Sequence, residues 1–199
     1  MKNIITISRE YGAGGGEIGR KLAKELGYEY YDKSIILNVA REANIDVEHA
    51  DKWDEMVPAN FGFAQSLFDF YNRPLSEKLF QAQSKVIKNL GEKGNCVIVG
   101  RNANTILKEY DHSMHVFLHA NIKWRAKRMM EKVQDLTPEK MLEQVEMIDK
   151  RRRKYCSYYT NTEFGAAQYY DVCLDTGRLG IDECVRILLE MAGNALQSK

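Results

Sequence analysis

Cysteine, charge of one sign and long apolar runs are all scarce in this chain of 199 residues, and each scarcity excludes something. The four cysteines, Cys96, Cys156, Cys173 and Cys184, are scattered with no C-x-x-C pair, so neither a disulfide framework nor a cysteine metal site is expected. Cys96 and Cys173 each sit in a short apolar run and read as free, buried thiols of a reducing compartment. The formal net charge is +1, so no global field recruits nucleic acid or an anionic membrane, and any anion site must be local. No apolar run approaches the roughly 18–20 residues that a membrane span needs. Met1 to Thr6 is interrupted too soon by Arg9 and Glu10 for an export signal, and a cytoplasmic location is the expectation.

A hydrophobic fraction of 44% and a charged fraction of 29% are those of an ordinary folded protein. No repeat, low-complexity tract or linker divides the chain, so residues 1–199 are expected to form a single domain. Asn3 to Ile7 is a β-branched run suited to a buried parallel strand. Ile18, Leu22, Ala23 and Leu26 then recur at helical spacing, with Gly27 as the stop. Tyr28 to Tyr31 is a second strand ending at Asp32, which completes the opening of a βαβ unit.

Helices are expected over Ser34–Ala43 and Val47–Met56, then over a longer span begun by Pro74, running through Leu90 and closed by Gly91 and Gly94. Cys96–Val99 and His115–Leu118 read as buried strands flanking a short helix from Ala103 to Lys108. A basic amphipathic helix spans Asn121 to Val133. Thr137 then caps a helix with Pro138 at its first position, running to Lys154. Tyr155 to Tyr170 reads as a looser polar and aromatic stretch. Val172–Leu174 is the last strand and Ile181–Ala192 the closing helix.

Gly12-Ala13-Gly14-Gly15-Gly16 lies between the first strand and the first helix, where bare main-chain amides can approach an anion under the helix dipole. Two nucleotide folds use this device. Gly14 to Gly19 satisfies G-x-G-x-x-G, with Asp32 about where a ribose-binding acid belongs in a dinucleotide fold. The six residues from Ser8 to Ala13 that precede Gly14 are instead the span of a phosphate-binding loop of the P-loop type. The two basic helices have no part in dinucleotide binding.

The segment Ile7 to Gly27, ISREYGAGGGEIGRKLAKELG, resembles the opening of the cytidylate kinases without gaps. Val97 to Asn102 resembles that family's strand ending in Gly-Arg-Asp. Phe117 to Arg128 resembles the strand and basic helix leading into its lid, and Ile148 to Arg151 the lid's far side. Val172 to Asp182 resembles its last strand and helix. The resemblance implies an α/β three-layer P-loop NTPase fold, a central parallel sheet flanked by helices, with a small helical lid at about residues 125–158. It implies phosphoryl transfer from ATP, with Mg2+, to a nucleoside monophosphate or similar small phosphate acceptor. No nucleic acid or membrane partner is expected. Three departures stand out: Arg9 at the loop's first glycine, Gly15 at its lysine, and Gly16 at the serine that meets magnesium. Asn38 stands where cytidylate kinases carry an arginine near the nucleotide, so the acceptor is left open.

On this reading Gly12, Ala13, Gly14, Gly15, Gly16 and Glu17 bind the donor phosphates, and Asp32 and Arg101 serve the acceptor. Arg9, Arg128 and Arg151 carry the catalytic charge, Arg9 as the leading substitute for the lysine, with Arg20 and Lys21 as fallbacks that helix geometry turns from the loop. Glu17 has two readings, holding magnesium or favouring the helix start electrostatically. No resident metal is expected, because His112, His115 and His119 lack completing ligands. The tyrosines from Tyr155 to Tyr170 read as packing before base stacking, whereas Phe61, Phe63, Phe68, Phe70 and Tyr71 suit an acceptor pocket or an oligomer contact equally. A non-catalytic nucleotide-binding or assembly protein on the same scaffold is the alternative function.

Overall fold

A computed structural model describes residues 3–42, 63–132 and 136–194. The expected helix Val47–Met56 lies outside them, as do Phe61 and the side chains of Phe63, Phe68, Phe70 and Tyr71.

Five parallel strands stand in the order β2-β3-β1-β4-β5: β1 Ile4–Arg9, β2 Glu29–Tyr31, β3 Cys96–Val99, β4 Ser113–His119 and β5 Val172–Asp175. β1 is central, pairing Ile5 with Val97 on one side and with Met114 on the other. Its burial on both faces explains its near-continuous apolar sequence. Ile5 and Ile7 enter one core layer, with Ile18 and Leu22 of α1 (Gly15–Leu26) and Cys184 and Leu188 of α8 (Ile181–Asn194). Ile4 enters the other layer. It meets Ile36 and Leu37 of α2 (Lys33–Glu42), Val86 and Ile87 of α3 (Phe63–Lys93), and Ala103 of the one-turn α4 (Ala103–Ile106). Two layers of helix against one sheet are thus written in the period-2 alternation of β1.

α5 (Ile122–Met130) is capped by the Asn121 side chain, and α6 (Pro138–Thr160) by Thr137, with Pro138 at its start. α7 (Thr176–Leu179) and a short 3-10 turn, Ala167–Tyr169, flank β5. Ala126, Met141 and Val145 form a small separate core that fastens α5 to α6.

Three expectations fail in instructive ways. Pro74 falls inside α3 rather than at its start, so its missing amide removes a rung of an existing helix. α6 does not stop at Lys154. Tyr155 and Tyr159, four residues apart and so on one face, pack on Phe80 of α3, at 6.2 Å edge-on and 4.4 Å stacked. That contact carries the helix on to Asn161, whose left-handed φ of 52° ends it. Arg9 is the last residue of β1, not part of the loop, because it pairs with Leu118 and Glu10 N–H then donates to Leu118 O at 3.0 Å.

Candidate active site at the glycine loop

The loop turns in two left-handed steps, Gly12 at φ 82° and Gly14 at φ 86°, a region that glycine enters without a Cβ penalty. Gly14 is the N-cap of α1 and accepts from Glu17 N–H and Ile18 N–H at 3.0 Å each. The amides of Gly14, Gly15 and Gly16 have no hydrogen-bond partner among the described residues. Three consecutive donors therefore stand at the positive end of a 12-residue helix.

Side chains crowd this turn. A Cβ at Gly12 would lie 2.9 Å from the Arg125 carbonyl, one at Gly14 would strike Ile181, and one at Gly15 would lie 2.7 Å from Arg9 Cγ. The loop is packed on those faces and remains partly exposed at Gly12 and Gly16. Ala13 is buried, with its N–H on Glu10 O at 3.3 Å.

Beneath the loop, Arg125 Nη1 donates to Asp149 Oδ2 at 2.6 Å and to Tyr11 O at 2.8 Å, while its Nε donates to Ala120 O at 2.8 Å. Asp149 Oδ1 in turn accepts from Tyr11 N–H at 2.7 Å. This buried pair holds the N–H and the C=O of one loop residue, Tyr11, so Arg125 fixes the loop and does not face phosphate. Asp149 carried no sequence signal of its own in a charged helix. Only the helix pairing reveals it.

Above the loop, Arg128 reaches Gly12 O at 3.4 Å and pairs with Glu17, which Lys21 and Lys132 also approach at 3.7 and 3.9 Å. Glu17 faces three cations rather than an open metal position. Arg151 is exposed, and Arg152 takes the inward place. Its Nη1 donates to Arg9 O at 3.0 Å, and its guanidinium lies 5.6 Å above the Tyr11 ring. One residue along a helix turns a side chain by about 100°, which a run of three arginines conceals.

Arg20, read from sequence as turned away, reaches back to the loop. A Cβ at Gly16 would lie 3.4 Å from its Nη2, and Tyr30 Oη accepts from its Nη1 at 3.2 Å. Helical side chains lean toward the N-terminus, so residue 20 overlies residue 16. Lys21 instead meets Asp182 at 2.5 Å.

On the acceptor side, Arg101 and Asn102 adopt left-handed φ values of 59° and 53° straight after Gly100. Arg101 is buried, its guanidinium 5.6 Å from the Tyr155 ring centroid. Asn102 is 9% exposed, and its Nδ2 has no hydrogen-bond partner among the described residues. Ser8, Arg9, Gly100, Arg101, Asn102 and Arg152 line a cleft of about 20 Å³, room for a water rather than a phosphate. A phosphate can enter only after this wall moves. Asp32 is not in that cleft. It caps α2, accepting from Ser34 Oγ at 2.6 Å and Ser34 N–H at 3.1 Å, and lies 3.8 Å from Arg20. Burial works to raise its pKa, but the hydrogen bonds from Ser34 and Ile35 prevail and hold it below the usual carboxylate value. A larger cavity, about 350 Å³, opens beyond the Ser8–Asn104 hydrogen bond between α4 and the Gln168–Asp171 segment, away from the glycine amides.

Comparison with known proteins settles the lineage. The profile of the cytidylate kinase-like family matches residues 4–178. The chain belongs to that family. The cytidylate kinase of Pyrobaculum aerophilum is 23% identical over 197 residues, covering 98% of this chain and 96% of that one. An uncharacterized protein from Eubacterium ventriosum superposes with a TM-score of 0.73 at 23% identity, covering 96% of this chain and 98% of that one. Shikimate kinase from Bacteroides thetaiotaomicron does so at 0.55 and 14% identity, covering 94% and 97%. The fold of this cytidylate kinase-like chain is that of the P-loop kinases, and its family supports nucleotide-related phosphoryl transfer as the general chemistry. None of the helices among the described residues is long and apolar enough to cross a membrane.

Proposed function

We propose that the protein transfers the terminal phosphoryl group of ATP to a nucleoside monophosphate, CMP or a related small phosphate acceptor. The observation that carries this reading is the run of unpaired amides at Gly14, Gly15 and Gly16, with Arg128 and Arg20 beside it. Backbone donors at a helix start, backed by guanidinium groups, are suited to a polyphosphate. The buried Asn102 Nδ2, without a partner among the described residues, marks a second place suited to an oxygen acceptor, on the side of the cleft where the acceptor phosphate would sit.

An oxygen of the acceptor phosphate would bond to the γ-phosphorus as the bond to the β–γ bridging oxygen breaks, and ADP leaves. The protein's share of such a reaction is alignment and positive charge. Arg128 must leave Glu17 to reach a phosphate, which fits a lid that closes on its ligand. Among the described residues no three His, Cys, Asp or Glu side chains are grouped to hold a metal, and Glu17 is engaged by cations. Magnesium therefore fits as an ion brought in by the ATP phosphates, keeping most of its waters.

Purified protein given ATP, Mg2+ and a panel of nucleoside monophosphates is expected to release ADP with at least one of them. A second reading, a nucleotide-binding protein without turnover, is favoured by the bare Gly15 and Gly16, which offer neither ammonium nor hydroxyl. Saturable ATP binding with no ADP release on any acceptor would establish it in place of the kinase. Absence of ATP binding would remove both.

A further inference from the structure

The Arg9 side chain runs from one glycine to another. Its stem lies over Gly15, where a Cβ would come within 2.7 Å of Cγ, 3.1 Å of Cβ and 3.2 Å of Cδ. Its guanidinium ends over Gly100, where an added Cβ would strike Nη1 and lie 3.1 Å from Cζ and 3.3 Å from Nη2. Any side chain at Gly15 would therefore start in space that Arg9 already fills. Gly15 is also the position at which the phosphate loop would carry its lysine. The guanidinium thus stands between the free amides of Gly14 to Gly16 and the cleft of Arg101 and Asn102, where donor and acceptor oxygens must meet. Arg152 holds the main chain of Arg9 in place through the 3.0 Å bond to its carbonyl.

We infer that Arg9 has exchanged places with the loop lysine: the cation on the transferring phosphoryl group comes from the end of β1, and Gly15 and Gly100 are bare so that it can lie there. This rests on the kinase reading above and names the residue that carries its charge. The exchange has a counter-intuitive corollary. Restoring a lysine at position 15 harms the protein while Arg9 is present, because the two stems claim one volume. A guanidinium offers five donors in a plane, which suits two phosphates at once as an ammonium does not.

The test is a cycle of R9A, G15A, R9A/G15A, G15K and R9A/G15K, read by ATP-dependent thermal stabilisation and by ADP release with the best acceptor. R9A is expected to lower kcat/KM on the order of 10³-fold, the scale for losing one well-placed cation on a transferring phosphoryl group. G15A displaces Arg9 and is expected to fall comparably, although alanine favours a helix. The double variant R9A/G15A is expected to lose no more than R9A alone. G15K alone is expected to be poorer than the parent, and R9A/G15K to recover at least about tenfold over R9A. Losses that multiply in R9A/G15A, or an R9A protein with parental turnover, would overturn the exchange and leave the kinase reading intact. Should G15A or G15K fail to fold, R9A and R9A/G15K, which open space, still decide. A parent protein that ATP does not stabilise sinks the functional reading itself.

Discussion

Two arginines three residues apart on α5 grip the same glycine loop, and they do so under opposite conditions. Arg125 and Asp149 have side chains 5% and 2% exposed, whereas Arg128 and Glu17 are 14% and 38% exposed. The first pair is surrounded by further acceptors and donors from Tyr11 and Ala120, so each charge is satisfied where water cannot reach. The second pair stands at the rim with Lys21 and Lys132 around one carboxylate. A buried, fully bonded ion pair cannot be opened without stranding a charge, whereas a rim pair exchanges its partner for water at small cost. The lower clasp is therefore the fixed one between α5 and α6, and the upper one is the contact that can open.

Breaking the lower clasp should have the largest effect. Asp149→Ala leaves Arg125 Nη1 and Tyr11 N–H without their carboxylate, with Glu10 at 3.3 Å from Nε as the remaining counter-charge, and should destabilise the protein by about 3–5 kcal/mol, measured by urea unfolding. A loss under about 1 kcal/mol would show that water reaches the pair and that the contrast is false.

Salt sharpens the comparison at intermediate scale. A double-mutant cycle on Arg125 and Asp149 should keep its coupling energy in 1 M NaCl, where the Debye length is about 3 Å, while a cycle on Arg128 and Glu17 should lose most of its coupling. Equal salt sensitivity of the two would erase the distinction.

Glu17→Gln should change stability by less than about 1 kcal/mol and strengthen ATP-dependent thermal stabilisation by releasing Arg128. Weaker ATP stabilisation in that variant would instead assign Glu17 a direct part in holding the ligand.

The smallest effect concerns Asp32, the carboxylate that caps α2 beyond the rim. Its folded-state pKa is held below the unfolded value, so its contribution is present above about pH 4 and fades as pH falls through the folded value. Asp32→Asn should flatten the fall of stability with acid below about pH 4 and leave the slope at neutral pH unchanged. A parental acid slope in the variant would mean that the hydrogen bonds from Ser34 do not prefer the ionised form.

Much of the scaffold was legible before the structure was known. β1 and β3 announce themselves as β-branched runs because both faces of a central parallel strand are buried. α1 is bounded by two glycines in left-handed conformation, an arrangement that sequence shows as directly as coordinates do. Thr137-Pro138 marked the start of α6 for the same reason, since cap and first-turn chemistry are local. The continuation of α6 through Tyr159 was not legible, because it depends on Phe80 arriving from a helix some 75 residues away in the chain.

The site divides along the same line. From its residues alone the chain declares a glycine loop at a strand–helix junction, two basic helices and an arginine after β3, for each of these is fixed by spacing along one strand or one turn. Which cation faces the loop is a matter of rotation about helix axes and of neighbours brought from other strands. Arg152 rather than Arg151, Arg20 leaning back over Gly16, Arg125 sunk into a clasp with Asp149, and the Arg9 stem laid across Gly15 were all decided by tertiary packing. A long, charged side chain has several angstroms of reach, and only the surrounding fold determines where that reach ends.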